Sequence, residues 1–320
     1  LAGSFFSATH DIAADGFYQV ALDDHRQALY SGWRSVCYRI AMIAANGGLL
    51  LFVAHFSGTA HLSPWQGAFV LSAAVFFALG AWHVFTLPDD SASAVETRSD
   101  LSQRVQDFLD SLRSFVKIPH LAVFLGFLLF YRFAEAQLTF MSKIFLIDGK
   151  GGGLSLEMYS SAVGIFGVAA MLAGGVAGGV AASRFGLKKT LFPMALMLNV
   201  PDLLYLLWAF NPIESKVLQT LVIAVEQFGY GFGFTGYMLL MLYLAGLCGK
   251  FKTTVFSYLT CVMIFGLRIP GFFSGDLFAL MKNSYRYFFL WVTAATLVSF
   301  AVTLPVMRHL PGNFGKAAGK

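Results

Sequence analysis

The sequence predicts an all-α integral membrane protein, and three observations support this prediction. Of the 320 residues, 57% are hydrophobic and only 12% are charged, with a mean hydropathy of +0.68. Such a composition cannot give a domain of this size an ordinary charged surface. Apolar runs of roughly 20 or more residues, long enough to cross a bilayer as helices, recur along the chain. Strands of a membrane barrel would instead alternate in polarity over about 10 residues, and this sequence does not alternate.

Nine apolar segments are expected to cross the membrane. They are residues 1–22, 35–57, 65–87, 119–142, 156–182, 190–210, 215–247, 253–281 and 286–307. If the first ends in the cytoplasm, fifteen Lys and Arg side chains fall on the cytoplasmic side and five on the other, which agrees with the preference of basic residues for cytoplasmic loops. The net charge of +5 therefore indicates orientation and not a nucleic-acid partner. The three cysteines lack metal-ligand spacing, so no metal or cofactor is expected.

The first span carries polar side chains near its middle. On a helix they form one stripe, consisting of Ser4, Ser7, Asp11, Asp15 and Tyr18. Ionisable groups at that depth are costly and mark a functional site by default. We expect the stripe to face protein or a water-filled cavity, with Asp11 and Asp15 as candidates for proton binding. His10 is a candidate substrate contact, with a buried imidazole satisfied by Thr9 and Asp11 as the alternative.

One long polar stretch interrupts the spans, and it sets the predicted domains. Residues 1–87 form an incomplete bundle of three helices, residues 88–118 form a cytoplasmic linker, and residues 119–320 form a bundle of six helices with a short tail. The linker becomes periodic, and one face carries Leu101, Val105, Phe108, Leu112 and Phe115. This pattern predicts an amphipathic helix against the membrane surface, acting as a structural brace.

Four stretches of the sequence resemble a known family. Gly178–Lys189 runs off a membrane helix into a basic turn and resembles the loop motif of the major facilitator superfamily, in which an acidic residue, Arg, Gly and a basic pair form a gating latch. The stretches Ser7–Gly16, Gly32–Arg39 and Glu226–Gly236 resemble AmpG-type permeases, bacterial importers of anhydromuropeptides from cell-wall turnover that are related to acetyl-CoA transporters. The resemblance covers essentially the whole chain.

This resemblance implies a fold and a function. The superfamily packs six plus six helices around a midplane cavity, so the nine spans would be its fourth to twelfth helices and the amino-terminal part would be missing. The chain would be a proton-coupled permease of the bacterial inner membrane, with a muropeptide-like substrate, protons and membrane lipid as its partners. An importer of another amphipathic anion, such as acyl-CoA, is the alternative. The gating loop would contain Arg184, Gly186, Lys188 and Lys189, with Ala182 or Ser183 at the acidic position.

The later spans also carry charged residues, and some of these are candidates for function. Arg132 and Glu135 lie in the fourth span, Glu226 in the seventh, and Arg268 and Asp276 in the eighth. The resemblance implies that the helices carrying Arg132, Glu135 and Glu226 line the central cavity.

Glu135 and Glu226 are candidates for proton coupling, because a buried acid can change protonation when water or a cation enters. Arg132 and Arg268 are candidate substrate contacts, and the planar guanidinium of Arg268, beside Pro270-Gly271, suits a substrate carboxylate. Tyr230, Tyr237 and Trp208 are possible surfaces for a sugar. Structural ion pairs, Arg132 with Glu135 and Arg268 with Glu226, are the alternatives.

The sequence disfavours two other classes of function. A membrane enzyme is not expected, because the sequence contains neither HExxH nor GxSxG and shows no recognisable nucleophile near His10. A sensor that does not transport is disfavoured by the lack of any soluble domain in the sequence.

Overall fold

The computed structural model describes residues 64–86, 101–312 and 314–315, together with isolated positions between residues 5 and 41. The predicted spans 1–22 and 35–57, including Asp11 and Asp15, lie outside the described residues apart from those isolated positions. The chain divides into two compact units, Leu1–Arg104 and Val105–Lys320. Each unit is described by itself.

Within the described ranges, every element of secondary structure is a helix. The helices are α1 (Pro64–Thr86), α2 (Leu101–Val116), α3 (Leu121–Phe130), α4 (Phe133–Ile147), α5 (Leu156–Ser161), α6 (Val168–Phe185), α7 (Leu187–Asn199), α8 (Leu203–Phe210), α9 (Lys216–Gly246), α10 (Lys252–Phe272), α11 (Ser274–Leu280) and α12 (Tyr285–His309). The prediction of an all-α chain is confirmed for these residues.

Within the part of the chain that the structure describes, seven stretches are long and apolar enough to cross a membrane. They are Phe69–Thr86, Leu121–Ile147, Met158–Phe185, Leu187–Phe210, Lys216–Gly246, Gly249–Leu280 and Tyr285–His309. They coincide with the last seven of the nine predicted spans, so the chain is a multi-pass membrane protein. The count of nine and the predicted domain boundaries stay predictions.

Three spans of the second unit are interrupted by irregular backbone. Tyr131 and Arg132 form a turn between α3 and α4, a π-helical segment Ala162–Gly167 joins α5 to α6, and a 3-10 turn Val200–Asp202 joins α7 to α8. Non-helical backbone at membrane depth is tolerated where it is buried in protein or lines a water-filled cavity. The three irregular segments therefore indicate a candidate functional site in the interior of this unit.

Helix α9 packs closely between α6 and α7, and glycines allow this approach. A Cβ atom on Gly231 would collide with the carbonyl of Met171 in α6, and one on Gly229 would collide with the carbonyl of Met197 in α7. On the α6 side, Gly174 and Gly178 lie against the backbone of α9 in the same way. Small residues allow such close contact between membrane helices, so these glycines have a packing role.

The predicted amphipathic helix is present as α2. Its Phe108 and Phe115 make edge-on contacts with Tyr258 of α10, with ring centroids 6.3 Å and 5.8 Å apart. The Ser111 hydroxyl is hydrogen-bonded to the Tyr258 hydroxyl at 2.8 Å. These contacts attach the helix to the bundle, as expected of a structural brace.

Candidate functional site

A layer of polar side chains crosses the second unit between two apolar cores. The first core includes Leu128, Leu198 and Tyr237, and the second includes Leu138 and Tyr205. Along each of four spans, buried polar residues fall between the members of the two cores. They are Arg132 just before α4, Asn199 at the end of α7, Asp202 in the turn after it, Glu226 in α9, and Thr296 and Ser299 in α12. Glu135 lies in α4 between Ala134 and Leu138 of the second core.

Arg132 is the only buried cation of this layer among the described residues. Its side chain is only 5% exposed, and its Nε donates a hydrogen bond of 2.9 Å to Oε2 of Glu135. Its Nη2 donates to the Tyr230 hydroxyl at 3.1 Å. The guanidinium also lies over the rings of Tyr230 and Phe234, 5.3 Å and 4.9 Å from their centroids. The guanidinium is therefore held by one carboxylate and two aromatic rings of α9.

Glu135 is fully engaged as the counterion. Its Oε2 accepts from Arg132, and its Oε1 accepts from the Thr139 hydroxyl at 2.6 Å. It is 2% exposed. The predicted pairing of these two residues along one helix face is present, and the structure adds the contacts with Tyr230 and Phe234. The sequence could not show these two contacts because they join separate spans.

The turn at Tyr131 and Arg132 is supported by two hydroxyl groups. Tyr237 donates to the carbonyl of Leu128 at 2.6 Å, close to the point where the regular hydrogen bonds of α3 end. Tyr131 donates to the carbonyl of Gly233 at 3.1 Å. Tyr237 is 0% exposed and Trp208 is 1% exposed. In this conformation both rings belong to the packing, and neither presents a face on which a sugar could stack.

Two further acids lie in the same layer. Glu226 accepts a hydrogen bond of 2.9 Å from the Gln227 amide and is 7% exposed. Asp202 is 2% exposed, and neither of its oxygens has a hydrogen-bond partner within the described chain. Asp202 interacts electrostatically with both Glu226 and Glu135. The layer therefore contains three carboxyl groups and one guanidinium, a surplus of acid that is costly in a buried place.

Other predicted site residues lie apart from this cluster. Arg268 is exposed, and its guanidinium carbon lies 6.0 Å from the centroid of the Phe140 ring. Its alternative ion pair with Glu226 is not formed in the described part of the chain, where Glu226 accepts from Gln227 instead. In the first unit, His10 is exposed and stacks with His83, with ring centroids 6.4 Å apart.

The predicted gating loop forms the short connection between α6 and α7. Gly186 has φ 82° and ψ 151°, a conformation that is essentially restricted to glycine. The N–H of Leu187 donates to the carbonyl of Phe314 at 2.9 Å, so the segment after α12 holds this turn. Arg184 and Lys189 are exposed and Lys188 is partly exposed, which leaves the basic side chains accessible.

Asp202 and Asn199 are site residues that sequence reasoning missed. Asp202 lies inside the apolar run 190–210, where an acid is as unusual as Glu135 or Glu226. The signal was available in Asn199-Val-Pro-Asp202, because a proline inside a membrane span interrupts the helix and frees polar backbone.

Fold and buried charges define a class, namely a multi-pass helical membrane protein with a polar layer inside its bundle. Comparison with known proteins points to transport. The chain is 29% identical over 251 residues to an uncharacterized protein of Haemophilus influenzae, covering 74% of this chain and 55% of that protein.

It is also similar to proteins described as "Putative transporter AmpG 4". The Rickettsia felis protein is 23% identical over 81% of this chain and 60% of its own length. The Rickettsia conorii protein is 22% identical over 94% of this chain and 69% of its own length. The chain therefore spans 55% and 60% of the first two relatives. No protein-family model matches it. These distant similarities agree with a membrane transporter and do not point to an enzyme.

Proposed function

We propose that the protein is a secondary active transporter that couples proton entry to the import of anhydromuropeptides. The observation that carries the proposal is the buried Arg132–Glu135 pair beside two further acids, at a break in a membrane span. The substrate class rests on the sequence resemblance and on the description of the Rickettsia relatives. The major facilitator architecture, with the gating loop at Arg184–Lys189 and further coupling by Asp11 and Asp15, is part of the same proposal.

Arg132 is suited to bind the carboxylate of a muropeptide. A guanidinium has several N–H donors in a fixed plane, and contacts with Glu135 and Tyr230 use only some of them. A substrate carboxylate would compete with Glu135 for the same cation. A proton on Glu135 would remove its charge and release Arg132, so proton binding and substrate binding would favour each other. This competition is a direct way to link the two fluxes.

Uptake of a radiolabelled anhydromuropeptide into membrane vesicles tests this proposal. The vesicles contain the product of the natural gene, so that any sequence beyond these 320 residues is present. We expect uptake that requires an inward proton gradient. Uptake of acyl-CoA in place of the muropeptide would refute the proposed substrate, and uptake of neither compound would refute the transport function.

A pair of conservative variants tests the role of Arg132. Arg132→Lys keeps the charge but loses the planar, two-pronged contact, which is worth about 1.5–3 kcal/mol, or roughly 10- to 150-fold in affinity. This loss should appear with the carboxylate form of the substrate and nearly vanish with its amide form. Arg268→Lys is the matched control at the exposed arginine, since Arg268 was the arginine predicted to suit a carboxylate. If Arg268→Lys discriminates between the two forms and Arg132→Lys does not, Arg268 is the carboxylate-binding residue.

A further inference from the structure

Asp202 is the most unusual side chain of the polar layer. It is 2% exposed, and both of its oxygens lack a hydrogen-bond partner among the described residues. Asn199 precedes it by three positions, and its Oδ1 also lacks a partner there, while its Nδ2 donates to the carbonyl of Ala195 at 2.8 Å. Three buried acceptor oxygens without donors in one turn of the chain are costly unless something supplies a hydrogen.

The turn that contains Asp202 packs against α9, the helix that carries Glu226. Pro201 and Asp202 belong to the 3-10 turn between α7 and α8. A Cβ atom on Gly229 would lie 2.9 Å from Cγ of Pro201, so this face of α9 touches the turn directly. Glu226 lies three positions before Gly229 and hence on the same face of α9. The acid of the turn and the acid of α9 therefore belong to two elements in direct contact.

Acidic groups outnumber cations around Asp202 among the described residues. Glu226 in α9 and Glu135 in α4 interact with it electrostatically, and so does Tyr205 in α8. Arg132 is the cation of this group, and it is already bound to Glu135. A buried carboxylate with carboxyl groups as neighbours and no cation of its own is expensive when it is ionised.

We propose that Asp202 and Asn199 form a proton-binding site separate from the Arg132–Glu135 pair. A proton turns the carboxyl group from an acceptor into a donor, and the Asn199 Oδ1 is an acceptor that lacks a donor. The same proton removes the repulsion between Asp202 and Glu226. No group of three His, Cys, Asp or Glu suited to a metal ion occurs within the described residues, which favours a proton over a divalent metal.

This site deepens the proposed function and, as a part of the transport cycle, rests on it. Protons entering the layer would meet Glu226 and Asp202 as well as Glu135. When Asp202 is protonated, the layer tolerates an ionised Glu135 or an incoming substrate carboxylate beside Arg132 at a lower electrostatic cost. Asp202 would thus be a second titrating group of the coupling mechanism.

Infrared difference spectroscopy tests the proton site without any substrate. A step to higher pH, applied to the purified, membrane-embedded protein, should deprotonate Asp202. The C=O stretching band of its protonated carboxyl group should then disappear. Asp202→Asn should lack this component, whereas Asp276→Asn, which alters an exposed acid of the same unit, should keep it. The proposal would be overturned if Asp202→Asn gave the same spectrum as the wild type. It would also be overturned if Glu226→Gln lost the component and Asp202→Asn kept it.

A second variant keeps the test valid if Asp202→Asn fails to fold. Asn199→Ala retains the acid and removes its expected acceptor. Its carboxyl band should vanish at a lower pH than in the wild type, because the bound proton loses a hydrogen-bond partner. An unchanged titration of the band would show that Asn199 does not hold the proton, which would overturn the two-residue site.

Transport then separates this inference from the proposed function. For one coupled proton, a gradient of two pH units supports roughly 100-fold accumulation of a substrate without net charge. If Asp202 carries one of the coupled protons, Asp202→Asn should lower accumulation by roughly 100-fold while exchange at equal pH continues. Asp276→Asn should accumulate like the wild type. Accumulation that follows sodium and not protons would overturn the proton assignment. Absence of muropeptide uptake by the wild type would refute the proposed function and leave the infrared result to decide the site.

Discussion

Removal of either partner of the Arg132–Glu135 pair should be strongly destabilising, while removal of both should not. Breaking a buried ion pair costs about 3–5 kcal/mol because it leaves one charge uncompensated. Glu135→Leu should fall near the lower value, about 3 kcal/mol, because Arg132 keeps Tyr230 and Phe234. Arg132→Met should fall near the upper value, about 5 kcal/mol, because Glu135 keeps only the Thr139 hydroxyl.

The double variant Arg132→Met with Glu135→Leu should lie within about 1 kcal/mol of the wild type, since apolar residues of similar volume often replace such a pair at no cost. The assay is equilibrium unfolding in mixed detergent and dodecyl sulfate micelles, followed by tryptophan fluorescence. The matched control is Arg113 with Asp110 in α2, which has the same spacing and the same 2.9 Å distance but is exposed. Its coupling energy should not exceed about 1 kcal/mol. An equally small coupling energy for Arg132 and Glu135 would refute the account of the polar layer.

Two further predictions concern packing and pH. Gly231→Ala should cost about 1–3 kcal/mol in the same unfolding assay, because its Cβ would collide with the Met171 carbonyl. Gly179→Ala, where a Cβ meets open space, should be neutral or stabilising by up to about 1 kcal/mol, and equal losses in the two variants would contradict the packing model. Outside the spans, hydrogen bonds from the Lys150 N–H and then from the Tyr285 hydroxyl hold the pKa of Asp148 below its usual value. The ionised Asp148 carboxylate therefore stabilises the folded protein at neutral pH, and this contribution is lost as the pH falls below about 4. Asp148→Asn should lower the thermal midpoint at pH 7 and have little effect near pH 3.

The sequence alone was sufficient for the features that depend on local composition. Seven spans and the amphipathic helix followed from hydropathy and periodicity, because these properties are carried by neighbouring residues of one helix. The pairing of Arg132 with Glu135 was also predictable, since residues three apart meet on one helix face.

Tertiary structure decided which polar residues share one layer. Helix α9 brings Tyr230 and Phe234 to Arg132. Its contact with the turn at Pro201 brings Glu226 close enough to Asp202 for the two acids to interact. The positions in each pair lie in different spans, so no spacing within the sequence relates them.

Burial of the aromatic residues is likewise a tertiary outcome. Tyr237 is a polar aromatic residue in a span and therefore a plausible sugar contact by sequence. Its hydroxyl instead donates to the Leu128 carbonyl beside the turn that precedes α4. The need for that hydrogen bond arises only when two helices meet at a broken segment, because a buried carbonyl without a donor is costly in a membrane.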